Sequence, residues 1–249
     1  MSEDESSGHY FEMTGVTVRI DNAVVLDGVS LRVGSGETVA LVGRNGAGKT
    51  TTFRTIMGQT SLESGRIRIA GDEITNLPSR ERARRGVSLA PEDRRLFTTL
   101  TVEDNLRMAT WGFGDVSESE FEDRLDRILG IFPEMEEFLD RPAGQLSGGQ
   151  QKMVTVGRAL ASDPDLVLID EPFEGLAPAV RQRFREGIER IETLDTSIVI
   201  AESNVRHAGE VADRAYVIER GAIVAETDIG PELPLERNRE VRRIFEGSE

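Results

Sequence analysis

A chain of 249 residues is long enough for one large α/β domain, or for a core with a lobe inserted in it. Its formal net charge of -15 argues against nucleic acid as the main ligand, because phosphate contacts need clustered Lys and Arg, and against direct docking on anionic lipid. There is no cysteine, hence no disulfide framework, thiol catalysis or cysteine-type zinc site.

Lysine occurs only at Lys49 and Lys152, so nearly all the basic charge is arginine. An acid-rich, lysine-poor chain suits a high-salt cytoplasm, where screening relieves self-repulsion. A halophilic source is expected, with an acidic mesophile of a GC-rich genome as the alternative.

Residues 1–10 read as a disordered acidic tail, lacking the basic and apolar regions of a signal peptide. Apolar runs such as 166–169 are far too short to span a bilayer. The expected location is therefore cytoplasmic, peripheral to the membrane through partner subunits. Residues 11–249 are expected to form the folded domain. Alternating patterns around Val16–Ile20, Val24–Val33 and Arg66–Gly71 predict a small antiparallel sheet within 11–75. Thr38–Val42 is a continuous apolar run, which suits a strand buried on both faces of a parallel sheet. Lys49–Met57 reads as a helix. Residues 96–160 change to helical spacing, with Thr101 and Asp104 at capping-box distance before a helix running to Trp111. From 161 to 249, apolar strands around 166–169, 197–201, 216–218 and 223–225 alternate with helical stretches, and a charged helix is expected from about Leu235. This alternation predicts an α/β fold with a mainly parallel sheet, an antiparallel β subdomain and an inserted helical subdomain.

Gly43-Arg44-Asn45-Gly46-Ala47-Gly48-Lys49-Thr50 fits G-x-x-x-x-G-K-[ST], between a predicted strand and a predicted helix. Glycines let the backbone curl with its amides inward, and the helix N-terminus favours an anion. Lys49 places a cation against the β- and γ-phosphates of a nucleotide, and Thr50 offers a hydroxyl to Mg²⁺. Leu166–Glu171 supplies the acidic partner. Asp170 is placed to hold the Mg²⁺ shell, and Glu171 to orient or deprotonate the attacking water.

Leu146-Ser147-Gly148-Gly149-Gln150 resembles the signature sequence of ABC ATPases, just as the two preceding motifs resemble their Walker A and Walker B. Ser147 can cap the following helix, and Gly148 and Gly149 expose amides at its positive end. The resemblance runs from about Phe11 to Gly247 and implies a P-loop NTPase core of the ABC ATPase type. It implies ATP and Mg²⁺ as cofactors, with Ser147, Gly148, Gly149 and Gln150 gripping the γ-phosphate held by an opposite subunit. Thr51 and Ile20 are implied nucleotide contacts. Within the family the chain looks most like the LivF-type subunit of branched-chain amino acid importers, through Ala90–Phe97, Leu100–Leu106, Glu174–Pro178 and Arg239–Phe245. The implied partners are a second ATPase subunit, LivG-like or a second copy, transmembrane permease subunits received in a groove between Glu92 and Trp111, and indirectly a solute-binding protein. Transport of urea, amides or lipid-linked cargo stays open, as does a weakly hydrolysing nucleotide-dependent scaffold. A role in DNA repair is disfavoured, because no long coiled-coil insertion separates the motifs.

Four positions depart from the family pattern. Ile20 stands where an aromatic ring often stacks on adenine, so modest affinity and weak base selectivity are expected. Glu92 stands at the Q-loop glutamine and is a candidate Mg²⁺ ligand that links the metal to the membrane partner. Ser203 occupies the switch-histidine position, which predicts slow hydrolysis. Ala177 falls at the D-loop aspartate and weakens the expected cross-talk between sites. His207 is expected to be an ordinary surface histidine.

Overall fold

The structure, a computed structural model, describes residues 9–113 and 116–245. Strand β1 (His9–Ile20) and strand β2 (Ala23–Gly34) form an antiparallel hairpin. Its turn residues, Asp21 and Asn22, both have positive φ, a conformation these short polar side chains tolerate. β1 starts two residues inside the expected tail, so His9 and Tyr10 belong to the sheet; the rest of that tail lies outside the described residues. Both strands bury alternate residues: Phe11, Met13, Val16 and Val18 on one, Leu26, Val29, Leu31 and Val33 on the other.

Strand β3 (Thr38–Val42) is buried at every position and runs through the phosphate loop into helix α1 (Lys49–Ile56). Strand β4 (Ser64–Ile69) pairs antiparallel with β1, and the short β5 (Asp72–Glu73) closes a four-stranded sheet of order β2-β1-β4-β5. The apolar face of this sheet packs with Phe53 and Ile56 of α1 and with Leu41, Leu168 and Val199. Helix α2 (Ser79–Arg84) contributes Arg82, which is almost wholly buried. Its guanidinium donates to the carbonyls of Thr55 and Ile56 at 2.8 and 2.9 Å, and to those of Leu77 and Thr75. It thus caps the C-terminus of α1, where Thr55 O also accepts from Gly58 N at 3.0 Å.

The second sheet has six strands in the order β10-β9-β3-β8-β7-β6, comprising β6 (Val87–Ala90), β7 (Leu166–Asp170), β8 (Ser197–Glu202), β9 (Arg214–Glu219) and β10 (Ala222–Asp228). All neighbours are parallel except β9 and β10. β3, β7 and β8 are buried throughout, which explains their unbroken apolar runs.

Helices α3 (Val102–Met108), α4 (Glu118–Ile131) and α5 (Gly148–Leu160) form the inserted lobe. Leu106, Ile128, Met153 and Val156 pack with Val167, Ile169, Ile198 and Ile200 of the sheet. Each of the three helices opens with a capping box: Thr101 with Asp104, Ser117 with Glu120, and Ser147 with Gln150. α3 ends at Met108, and Trp111–Phe113 is a separate 3₁₀ turn, so the expected helix to Trp111 is shorter than its pattern suggested. Helix α6 (Pro178–Glu192) follows β7, and the short α7 (Val205–Gly209) follows β8. The C-terminal stretch opens as a 3₁₀ turn at Leu235–Arg237 before helix α8 (Arg239–Phe245). Among the described residues no helix is long and apolar enough to cross a membrane.

Candidate active site

Parallel register brings the functional ends of three strands together. Val42 of β3 lies opposite Glu202 of β8, and Asp170 of β7 lies opposite Ala201. The phosphate loop leaves β3 at this edge, with Gly43 N donating to Glu202 O at 3.1 Å. A Cβ on Gly43 would sit 2.5 Å from the carbonyl of Ile218 on β9, so only glycine lets the loop pass that close. Gly48 takes φ 116° at the N-cap of α1. Arg44, Asn45 and Gly46 are exposed at the loop's crest, whereas Ala47, Gly48 and Lys49 are buried. Thr50 and Thr51 begin α1, both half-buried.

Lys49 Nζ lies 3.1 Å from Glu171 Oε1, and both side chains are 6% exposed. The ammonium also donates to Gly43 O at 2.8 Å and Arg44 O at 3.4 Å. A buried cation of this kind is tolerated because its partner and carbonyls replace lost water. The other carboxylate oxygen, Glu171 Oε2, accepts from both Ser203 N and Ser203 Oγ at 3.1 Å. Glu171 itself has φ 49°, outside the usual range for such a side chain, and is held there by Glu171 N donating to Ala201 O at 2.9 Å. Its carbonyl accepts from Lys152 Nζ at 2.5 Å.

Thr50 Oγ1 donates to Asp170 Oδ2 at 3.0 Å. The other oxygen, Asp170 Oδ1, is buried without a hydrogen-bond partner. Burial pushes the Asp170 carboxyl up to about 6; the Thr50 hydrogen bond opposes this, and the nearby Glu171 charge adds to it. An orphaned carboxylate oxygen beside a hydroxyl is a donor pair that suits a hard divalent cation. Among the described residues no group of three His, Asp or Glu side chains forms an all-protein metal cage.

Glu92 is exposed on the loop after β6, and it lines the same cleft as Thr50 and Asp170, about 540 Å³ in volume. Partial burial raises its carboxyl, with Glu174 and Glu171 adding to the effect. Phe97, Met108 and Ala109 line the same cleft, and Trp111 beyond α3 is 68% exposed. Ile20, at the end of β1, is 41% exposed and outside the hydrogen-bonded cluster. Ser147 and Gly148 are exposed at the start of α5. Ser147 Oγ accepts from Gln150 N at 3.3 Å, and Gln150 Oε1 accepts from Ser147 N at 3.0 Å. Among the described residues no hydrogen bond or ion pair joins Ser147–Gln150 to the phosphate loop.

Several neighbours of the site were not expected from the sequence. Glu202 is almost wholly buried and accepts from Phe173 N at 3.2 Å. Burial raises its carboxyl above the ordinary range, and the charge of Glu171 adds to this. Lys152, on α5, is buried and its ammonium is pushed down by desolvation, against the pull of Glu174 and Glu202. Arg94 donates to Gln151 at 2.7 Å, and Arg158 donates to the carbonyls of Arg94 and Arg95, so the Glu92 loop is stitched to α5. His207 is not a surface histidine. Its ring packs 5.5 Å from that of Phe173, its side chain is 12% exposed, and its Nδ1 lies 3.7 Å from Glu202. The signals available in the sequence were the rarity of lysine, which singles out Lys152, and the acid that ends the apolar strand β8.

A match to the family described as ABC transporter covers residues 26–174. The chain is 43% identical over 199 residues to BraG of Pseudomonas aeruginosa, a high-affinity branched-chain amino acid transport ATP-binding protein, spanning 80% of this chain and 84% of BraG. It is 36% identical over 225 residues to LptB of Escherichia coli strain K12, a lipopolysaccharide export system ATP-binding protein, spanning 90% and 92% of the two chains. The fold is similar to the ADP conformation of MJ1267, an ATP-binding cassette of an ABC transporter, with a TM-score of 0.84 and 26% identity over 96% of this chain and 99% of that one. The Gly43–Thr50 motif, the paired acids at the end of β7 and the extent of these similarities agree: the chain belongs to the ABC transporter family, as an ATP-binding and ATP-hydrolysing subunit.

Proposed function

We propose that the cluster of Lys49, Glu171, Ser203, Thr50 and Asp170 is the hydrolytic centre that energises an importer for branched-chain or related amino acids. The single observation that carries the chemistry is the Lys49–Glu171–Ser203 chain of contacts at the strand ends. A phosphate arriving in the loop competes for the Lys49 ammonium and frees Glu171 Oε1. Glu171 then accepts a proton from, or orients, the water that attacks the γ-phosphorus in line, as the bond to the bridging oxygen breaks and ADP leaves with its electron pair. Gly43 through Thr51 supply amides and hydroxyls around the phosphates, and Ile20 offers an apolar contact to the base. Thr50 and Asp170 would hold Mg²⁺, with Glu92 as a further ligand from the cleft, and the bound ion would supply charge neutralisation to the phosphates.

The exposed signature, Ser147 to Gln150, acts on the nucleotide held by a second ATPase subunit, related in sequence or a second copy of this chain. The cleft between Glu92 and Trp111 receives a segment of a transmembrane permease, which keeps the subunit on the inner face of the membrane. A solute-binding protein acts only through the permease. Similarity to BraG supports the amino acid cargo. The similarity to LptB supports the second reading, a subunit of the same kind serving a lipid-linked cargo.

Glu171→Gln should lower ATP turnover by more than about 10²-fold while leaving nucleotide binding in place. Turnover retained in that variant would overturn the assignment of Glu171. Cargo is tested by reconstituting the chain with the permease and binding protein encoded beside it. Leucine uptake that requires both ATP and Glu171 is expected; ATP-driven movement of a lipid-linked cargo instead would select the second reading.

A further inference from the structure

Lysine is among the residues least often buried, and this chain has only two, yet both are buried and both bond the same residue. Lys49 Nζ contacts the carboxylate of Glu171, and Lys152 Nζ donates to its backbone carbonyl. Lys49 belongs to the loop that binds this chain's own nucleotide. Lys152 belongs to α5, five residues after Ser147, about 7.5 Å along the axis. We propose that Lys152 is a positioning residue that ties α5 to the peptide of Glu171, so that filling this chain's own phosphate site changes the signature motif it presents to a partner. The proposal rests on the reading of Gly43–Thr50 as the nucleotide site.

The two ends of this link have different constraints. α5 is a 13-residue helix with a capping box at its start. Glu171 is held through its amide to Ala201 O, its carboxylate to Lys49 and Ser203 with Glu202 beside it, and its carbonyl to Lys152 and, more weakly, to Glu174 N at 3.4 Å. It also sits at positive φ, a conformation that lasts only while its surroundings enforce it. When phosphate takes the Lys49 ammonium, one of those constraints is removed. The Glu171 peptide then has two arrangements, and each offers Lys152 a different carbonyl position. This is the differential contact that coupling between two sites requires. The bland alternative is that Lys152 only offsets the charge of Glu171, Glu174 and Glu202, which surround it together with Arg94. In that case any change in the signature on nucleotide binding would not need the lysine.

The test uses the full-length chain and MgATP at a concentration at which the chain stays monomeric, reading equilibrium binding and amide hydrogen exchange in residues 147–156. In the wild type, MgATP should change exchange in this segment by about fivefold or more. Lys152→Met should bind MgATP within about threefold of wild type and lose that response, and Lys152→Arg should restore it. A response that persists in Lys152→Met overturns the proposal, as does a wild type that binds MgATP with no change at 147–156. If Lys152→Met does not fold, Lys152→Gln replaces it, and the wild-type result alone can still overturn the idea. A wild type that fails to bind MgATP overturns the nucleotide-site reading itself, a failure distinguishable from the other two.

Discussion

Asp170 shows how burial tunes a single carboxyl. Its folded pKa is raised to about 6 from an ordinary 3.8, so the folded state holds a proton that the unfolded state has released. Stability from this group is fully present below the unfolded pKa and is lost as pH rises through about 6. Without divalent cations, Asp170→Asn should therefore stabilise the protein near neutral pH by an amount on the order of 2 kcal/mol. Urea titrations should show the advantage shrinking below about pH 4–5; an equal advantage at all pH values would contradict it. Ser203 gives a second prediction at this scale. Its amide and hydroxyl both hold Glu171, and it carries no charge to place on the γ-phosphate. Ser203→His keeps the amide contact and adds a cationic donor, so kcat should rise by up to about 10²-fold. Steady-state ATPase assays check this, and no gain would count against it.

At the scale of elements, helix ends carry the function. α5 begins with a reciprocal pair, Ser147 Oγ from Gln150 N and Gln150 Oε1 from Ser147 N, which leaves Ser147 and Gly148 exposed and ordered. Ser147→Ala removes the cap and should cost about 1 kcal/mol. In a domain of this size that lowers Tm by about 2–4 °C, measurable by calorimetry. If the signature acts in trans as proposed, turnover should fall much more than this small loss explains. A turnover loss no larger than the fraction unfolded would limit Ser147 to a structural cap. α1 is held at its other end by Arg82, whose donors cover the carbonyls of Thr55 and Ile56. The thirteen positions of α5 were legible in the sequence as a capped apolar helix. α2 and β6 were not, since six and four residues give too short a pattern to separate from a loop.

Across the whole molecule, charge sets the response to salt. A net charge of -15 with Glu and Asp spread over the surface repels itself, and added ions screen that repulsion. Melting temperature should rise from dilute buffer into molar KCl. A protein most stable in dilute buffer would remove the halophilic expectation. Most mapped ion pairs, such as Arg19–Glu63 and Arg127–Asp163, are exposed and contribute little, so screening them costs less than relieving the net repulsion contributes.

The sequence by itself determined most of the longer local elements and the motifs that the proposed site is built on. Residue types and spacing at 43–50, 166–171 and 146–150 are set by the backbone turns and charges they must provide, and such requirements are local. Buried strands announced themselves as apolar runs, because both their faces are covered. Only the tertiary structure decided which side chains meet. The parallel register of β7, β3 and β8 brings Asp170, Gly43 and Glu202 to one edge, although more than a hundred residues separate the first two. It turned His207 from a surface residue into a neighbour of Phe173, and it brought Lys152 to the carbonyl of Glu171. Pairing, burial and the shifts in proton affinity that follow depend on contacts between distant segments, and no local pattern in the chain encodes their distances.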